Sequence, residues 1–97
     1  MYSIIFLPEI APEIEHSVKH YRKHQIGLEN IFFDEIENAL NKIRENPERF
    51  PKIEENIRKY IIRRYPFNII YTIKSDKIII IAVAHQKRKP YYWKHRI

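Results

Sequence analysis

Apolar positions change their period along this chain, and the changes divide it into elements. Tyr2 to Leu7 (Tyr-Ser-Ile-Ile-Phe-Leu) is a short apolar-rich run ended by Pro8, which predicts a first strand. Beyond it the pattern turns helical, with Ile10, Ile14, Val18 and Tyr21 on one face. Pro12 falls in the first turn of this helix, where a missing N–H costs little, and Glu9, Glu13 and Glu15 lie where the helix dipole favours negative charge. The helix is predicted to stop between His24 and Gly27, the only glycine, which suits a left-handed cap or turn. A second stripe (Leu28, Phe32, Ile36, Ala39, Leu40, Ile43) predicts a second helix, closed by Asn46-Pro47. Pro47 to Asn56 reads as a loop, with Phe50 tucked under the helices.

From Ile57 to Ala84 three runs rich in β-branched and aromatic residues follow one another: Ile57–Arg64, Phe67–Ile73 and Lys77–Ala84. The Tyr65-Pro66 step separates the first two, and Lys74-Ser75-Asp76-Lys77 supplies a tight turn between the last two. The predicted order is therefore β-α-α-β-β-β, an α+β fold. In it a helical hairpin rests on one face of a mostly antiparallel sheet of about four strands, within one domain spanning 1–97. A chain of 97 residues carries one modest core, burying roughly 60–68% of the surface its unfolded form exposes. The longest apolar run, Ile78–Ala84, is far too short to span a bilayer, and Met1 leads into a strand without a signal-peptide pattern. The absence of cysteine excludes disulfides and thiolate metal sites and fits a reducing cytoplasm.

Charge adds an asymmetry that hydropathy does not show. Residues 1–55 carry 7 Lys/Arg against 11 Asp/Glu, a net of −4, whereas residues 56–97 carry 11 Lys/Arg against Asp76 alone, a net of +10. The C-terminal half is the surface expected to face a polyanion or an acidic partner.

Within that half, Arg58, Lys59, Arg63 and Arg64 decorate the first meander strand. Strict alternation places Arg58, Tyr60, Ile62 and Arg64 on one side and Lys59, Ile61, Arg63 and Tyr65 on the other. The guanidinium fork suits phosphate or carboxylate, although charges on an edge strand also simply block sheet-to-sheet association. Pro90 ends the last strand, which releases the rest of the tail to the surface. There, cations interleaved with Tyr91, Tyr92 and Trp93 can bind nucleic acid by stacking and phosphate contact, or dock on the protein's own sheet with Trp93 as anchor. His85, where strand meets tail, can act as acid or base near neutral pH, or serve as a hydrogen-bonded structural residue. His16, His20 and His24 share a helical spacing compatible with a divalent cation, but lie among Lys19, Arg22 and Lys23 and read as a solvated face; no metal and no cofactor is assigned.

Several short stretches, in this order, resemble the RelE/ParE toxin superfamily, the toxin halves of bacterial type II toxin–antitoxin modules. They are Phe6-Leu7-Pro8-Glu9, His20-Tyr21, Asn46-Pro47 and Phe50-Pro51. Most specific are Arg63-Arg64-Tyr65-Pro66-Phe67-Asn68-Ile69-Ile70-Tyr71, similar to the family's Arg-Arg-Phe-Pro-Tyr-x-Ile-x-Tyr, and His85-x-x-Arg88-x-Pro90 followed by Trp93 and Arg96. The resemblance implies a growth-inhibiting toxin neutralised by a cognate antitoxin that is acidic or amphipathic where it binds. It implies a toxin–antitoxin hetero-oligomer in the cytoplasm, with no membrane contact. RelE-like members cut mRNA on the ribosome with clustered cations and a tyrosine, a role that Arg58, Arg64, His85, Arg88 and Tyr92 would fill here. ParE-like members inhibit DNA gyrase, and the His85-x-x-Arg88 ending is closer to theirs. On that reading Arg63, Arg64, His85, Arg88, Trp93 and Arg96 contact the target. A non-toxic nucleic-acid-binding module is the reading that charge alone would support.

Overall fold

A computed structural model describes residues 2–97. The elements are β1 (Ser3–Phe6), α1 (Ile10–His24), α2 (Leu28–Glu45), a 3-10 turn at Pro47–Arg49, β2 (Lys52–Glu54), β3 (Ile57–Ile62), β4 (Phe67–Lys74), β5 (Lys77–His85) and a final 3-10 turn at Lys94–Arg96. The strands form one sheet in the order β1-β5-β4-β3-β2. All pairings are antiparallel except β1 with β5, which are joined not by a tight turn but through both helices and the three intervening strands. The expected sheet of about four strands is thus five. The added one, β2, lies in the stretch read as a loop; its three residues, Lys-Ile-Glu, are too few to show an alternating pattern.

The helices cover one face of the sheet. Ile10, Val18, Phe32, Ile36, Ala39 and Ile43 meet Ile62, Ile69, Tyr71, Ile78, Ile80 and Val83 in the main core, and Phe50 is half-buried at its edge against Tyr60. Tyr71, fully buried, donates its hydroxyl to the Pro47 carbonyl at 2.6 Å, fixing the turn after α2 to the sheet. Gly27 takes φ +94°, the positive value expected of it, and serves as the N-cap of α2. Its N–H donates to Glu29 Oε1, while Glu29 Oε2 accepts from Arg22 at 2.6 Å, clamping the two helices at their junction. No helix among the described residues is long and apolar enough to cross a membrane.

Two departures from strict alternation shape the second face. At the β4–β5 pairing Ile70 faces Ala82 but Tyr71 faces Ile80, so Ile81 is an extra residue, a β-bulge. The bulge shifts the phase of β5. Ile78 and Ile80 point to the helices, Ile81 and Ala82 both join the opposite cluster, and Val83 returns to the helix side. Secondly, alternation along β3 ends at Ile62, because 63–66 form a turn. Tyr65, expected on the side of Lys59, is instead buried in the helix-side core against Tyr21 and Phe32.

Candidate basic face and the docked C-terminal segment

The chain beyond β5 does not leave the molecule, contrary to the expectation drawn from Pro90; of the two readings of the aromatic tail, docking on the sheet with Trp93 as anchor is the one observed. It reverses at Tyr91, whose φ of +61° is left-handed, and lays Trp93 on the second face of the sheet. There the ring is 3% exposed and packs in the cluster of Ile57, Ile70, Ile81, Ala82 and Ala84. Aromatic area of this size is a large fraction of a small domain's burial, so the anchor outweighs the entropy of a free tail.

A network around Glu13 then fixes the last residues. β1 ends opposite Ile80, so the next backbone groups on that edge of β5 lack a strand partner. Side chains take their place: the Val83 N–H donates to Glu13 Oε1 at 3.0 Å, and Arg96 Nη1 donates to the Ile81 carbonyl at 3.0 Å. Arg96 Nη2 donates in turn to Glu13 Oε2 at 3.0 Å, to which the Tyr92 hydroxyl also donates. The Arg96 and Glu13 side chains are only 8% and 12% exposed. Arg96, assigned from sequence to the target surface, therefore faces inward and ties the chain end to α1. Its Nε is the one buried side-chain polar atom without a partner among the described residues.

Tyr92 is held between two cations, with the Arg88 guanidinium 3.9 Å and that of Arg96 5.2 Å from its ring centroid. Burial, reinforced by the hydrogen bond to Glu13, pushes its phenol well above the ordinary tyrosine range. A phenol so placed stays protonated and directs that proton at a carboxylate. Arg58 is similarly engaged, donating to the carbonyls of Glu48 at 2.8 Å and Phe50 at 2.7 Å. Arg63 and Arg64 project from the turn after β3 and are exposed, Arg64 lying 4.0 Å from Glu35 of α2. Arg58 belongs to β3 and Arg64 to the turn that follows it, and they engage different parts of the fold: Arg58 the loop carbonyls of Glu48 and Phe50, Arg64 the α2 side at Glu35.

His85 ends β5 opposite Phe67 and meets that ring edge-on at 5.0 Å. Its Nδ1 accepts the Lys87 N–H at 3.0 Å, which leaves the neutral ring's proton on Nε2. Burial first, then the charges of Lys87 and His20, hold its pKa below the usual histidine value. Exposed around it stand Lys87, Arg88 and Lys89, and on the sheet's second face a cavity of about 230 Å³ opens between the tail and β4, with Lys59, Asn68 and Trp93 in its lining. Of the sequence-derived candidates, the fold thus gathers His85, Arg88, Tyr92, Trp93 and Arg96. It leaves Arg58 apart as a support for the loop before β2. Lys94, at the start of the final turn, pairs with Glu54 of β2 at 2.9 Å. Among the described residues no three histidine or carboxylate side chains are placed to share a metal ion, and His24 Nδ1 lies 3.0 Å from the His20 carbonyl of its own helix.

The residue that sequence reasoning missed is Glu13, read there only as a charge suited to the helix dipole. Its position beside Ile10 and Ile14 was a faint signal, but its partners lie 70 to 83 residues away.

Comparison with known proteins bears on this arrangement. The sequence model described as the ParE toxin of the type II toxin–antitoxin system, parDE, matches residues 4–90. A solved structure from the chromosomal ParDE TA system of P. aeruginosa superposes with a TM-score of 0.66 over 88% of this chain and 96% of that chain, at 14% identity, a likeness of fold. A sequence search of curated proteins gives no match. The family match covers both helices, β2 to β5, β1 from its second residue and the turn carrying His85 and Arg88, and by it this chain belongs to the ParE toxin family of type II toxin–antitoxin systems.

Proposed function

We propose that this toxin arrests growth by binding DNA gyrase through its exposed basic face, without cutting RNA, and that a cognate antitoxin neutralises it in the cytoplasm. The observation that carries the reading is the state of Tyr92. An RNA-cleaving constellation requires a tyrosine or histidine free to move a proton at the ribose 2′-hydroxyl and cations converging on the scissile phosphate. Here the Tyr92 phenol is bonded to Glu13, Arg96 is consumed by the same carboxylate, and Arg58 is spent on backbone carbonyls. Of the candidate cations, Arg63, Arg64 and Arg88 remain exposed, with Lys87 and Lys89 beside Arg88, and they suit an acidic surface or a nucleoprotein rather than a reaction centre. The same surface favours an antitoxin segment that is acidic or amphipathic where it binds.

The test uses purified toxin, gyrase and relaxed plasmid beside programmed ribosomes carrying mRNA. Loss of supercoiling, or trapped cleaved DNA, with intact mRNA is the expected pattern. Arg88→Ala with Lys89→Ala should weaken inhibition, and the residual effect should depend less on salt. Codon-specific mRNA cuts with unaffected gyrase would replace this reading by the endonuclease one. Growth arrest on expression, relieved by co-expressing the neighbouring gene, checks the antitoxin.

A further inference from the structure

A second cavity, of about 580 Å³, lies on the other side of the docked tail, between α1 and the end of β5. We propose that it is a binding site for a planar monophosphate, a nucleotide either free or at the 5′ end of a nucleic acid strand. The volume is that of small-ligand sites in general. Its floor is apolar, built from Pro12, Val83 and Phe67, and the Phe67 ring is held between Phe32 and His85.

The rim is cationic. His16 and His20, one turn apart on α1, form one wall, and His85, Lys87 and Arg88 form the other. Because His85 Nδ1 already accepts the Lys87 N–H, its Nε2 is a donor whether the ring is neutral or charged. Of the two carboxylates in the lining, Glu13 is matched by Arg96 and takes two further hydrogen bonds, so its charge is offset inside the fold. Glu9 alone then opposes Lys87, Arg88 and three imidazoles. An apolar floor beside one compact cluster of donors calls for a bipolar ligand, a flat ring joined to a small dianion. Arg88 supplies the fork that phosphate oxygens match, and the imidazole N–H groups add further donors. Burial, then the charges of Lys87 and His20, hold the His85 pKa below the usual histidine value, which favours the ring form whose Nδ1 accepts from Lys87 and whose Nε2 donates. The site shares Lys87 and Arg88 with the face assigned to gyrase and adds His16 and His20 of α1, and its test reads nucleotide binding with gyrase absent, so either reading can fail without the other.

The experiment is an amide-resolved NMR titration of the intact chain with AMP, adenosine and inorganic phosphate at about pH 7.5, where the phosphate monoester is a dianion. AMP should produce saturable shifts at Val83, His85 and the His16–His20 turn, and bind about tenfold more tightly than phosphate or adenosine. His20→Ala and Lys87→Ala should each lower AMP affinity about fivefold, and Lys59→Ala, on the second face, should leave it unchanged. A 5′-phosphorylated trinucleotide that matches AMP, while its 5′-hydroxyl form does not, identifies a strand end as the source; binding of AMP alone identifies the free nucleotide. Equal affinity for AMP and phosphate, shifts confined to the tail and β3, or preference for a glutamate-rich peptide over AMP would overturn the proposal.

Discussion

Removing Glu13 should unfold more of this protein's stability than any other single carboxylate on it, and the reason is geometric. The side chain accepts from the Val83 N–H, the Tyr92 hydroxyl and Arg96, bridging α1, the open edge of β5 and the C-terminal segment. Glu13→Ala strands an Arg96 that is only 8% exposed, and deletion of one partner of a buried ion pair costs about 3–5 kcal/mol. In a domain of this size about 1 kcal/mol moves Tm by roughly 4–8 °C, so the melting temperature should fall by at least about 12 °C. Arg96→Met should cost a comparable amount by stranding Glu13. The double variant Glu13→Ala/Arg96→Met removes both charges, and should be less destabilised than the sum of the singles by about 2 kcal/mol or more. Urea denaturation followed by Trp93 fluorescence and by far-ultraviolet circular dichroism supplies all four corners of the cycle. Trp93 should additionally report detachment of the tail, since its burial depends on the same latch. If the single variants each cost under about 1 kcal/mol and add within about 0.5 kcal/mol, the network is a solvated contact and the reasoning fails.

Trp93→Ala should lower stability by about 3–5 kcal/mol, because the ring is buried against Ile57, Ile70 and Ala82 on a face that no helix covers; calorimetry on the purified variant checks it. Gly27→Ala should cost about 1 kcal/mol although an added methyl would meet nothing within 4 Å, since the penalty arises from φ +94° rather than from crowding; equilibrium urea unfolding measures it. Alkali should destabilise the fold in a defined window. The Tyr71 phenol is pushed up to about 12 by burial, and that of Tyr92 is raised further. Below about pH 10 the phenols are protonated in both states and contribute no slope; above it the unfolded chain loses protons that the folded one retains, so stability falls with rising pH. Tyr92→Phe should flatten that fall by about one proton, read from urea midpoints at successive pH values.

Local periodicity determined a good deal of this protein. The stripes Ile10–Tyr21 and Leu28–Ile43, the Pro and Gly punctuation at Pro8, Gly27 and Pro47, and the β-branched runs of β3 to β5 each encode their element within a dozen residues. The element order, the helical layer on one sheet face and the basic C-terminal half followed, as did the family resemblance carried by Arg63–Tyr71 and His85–Arg88. Tertiary structure alone decided the rest. The parallel pairing of β1 with β5 joins residues more than 70 positions apart, and β2 exists only because the edge of β3 offers it a ladder. The bulge at Ile81 moves half of β5 to the opposite phase, which no alternation count along one strand can foresee. The reversal at Tyr91, the burial of Trp93 and the Glu13–Arg96 pair turn an apparently free basic tail into a second layer of the fold. A charged residue's sequence neighbours state its propensity and its local polarity. Whether it ends at the surface or beneath it depends on which unpaired backbone groups and opposite charges the finished sheet brings within 3 Å, and for Arg96 those lie on Ile81 and Glu13.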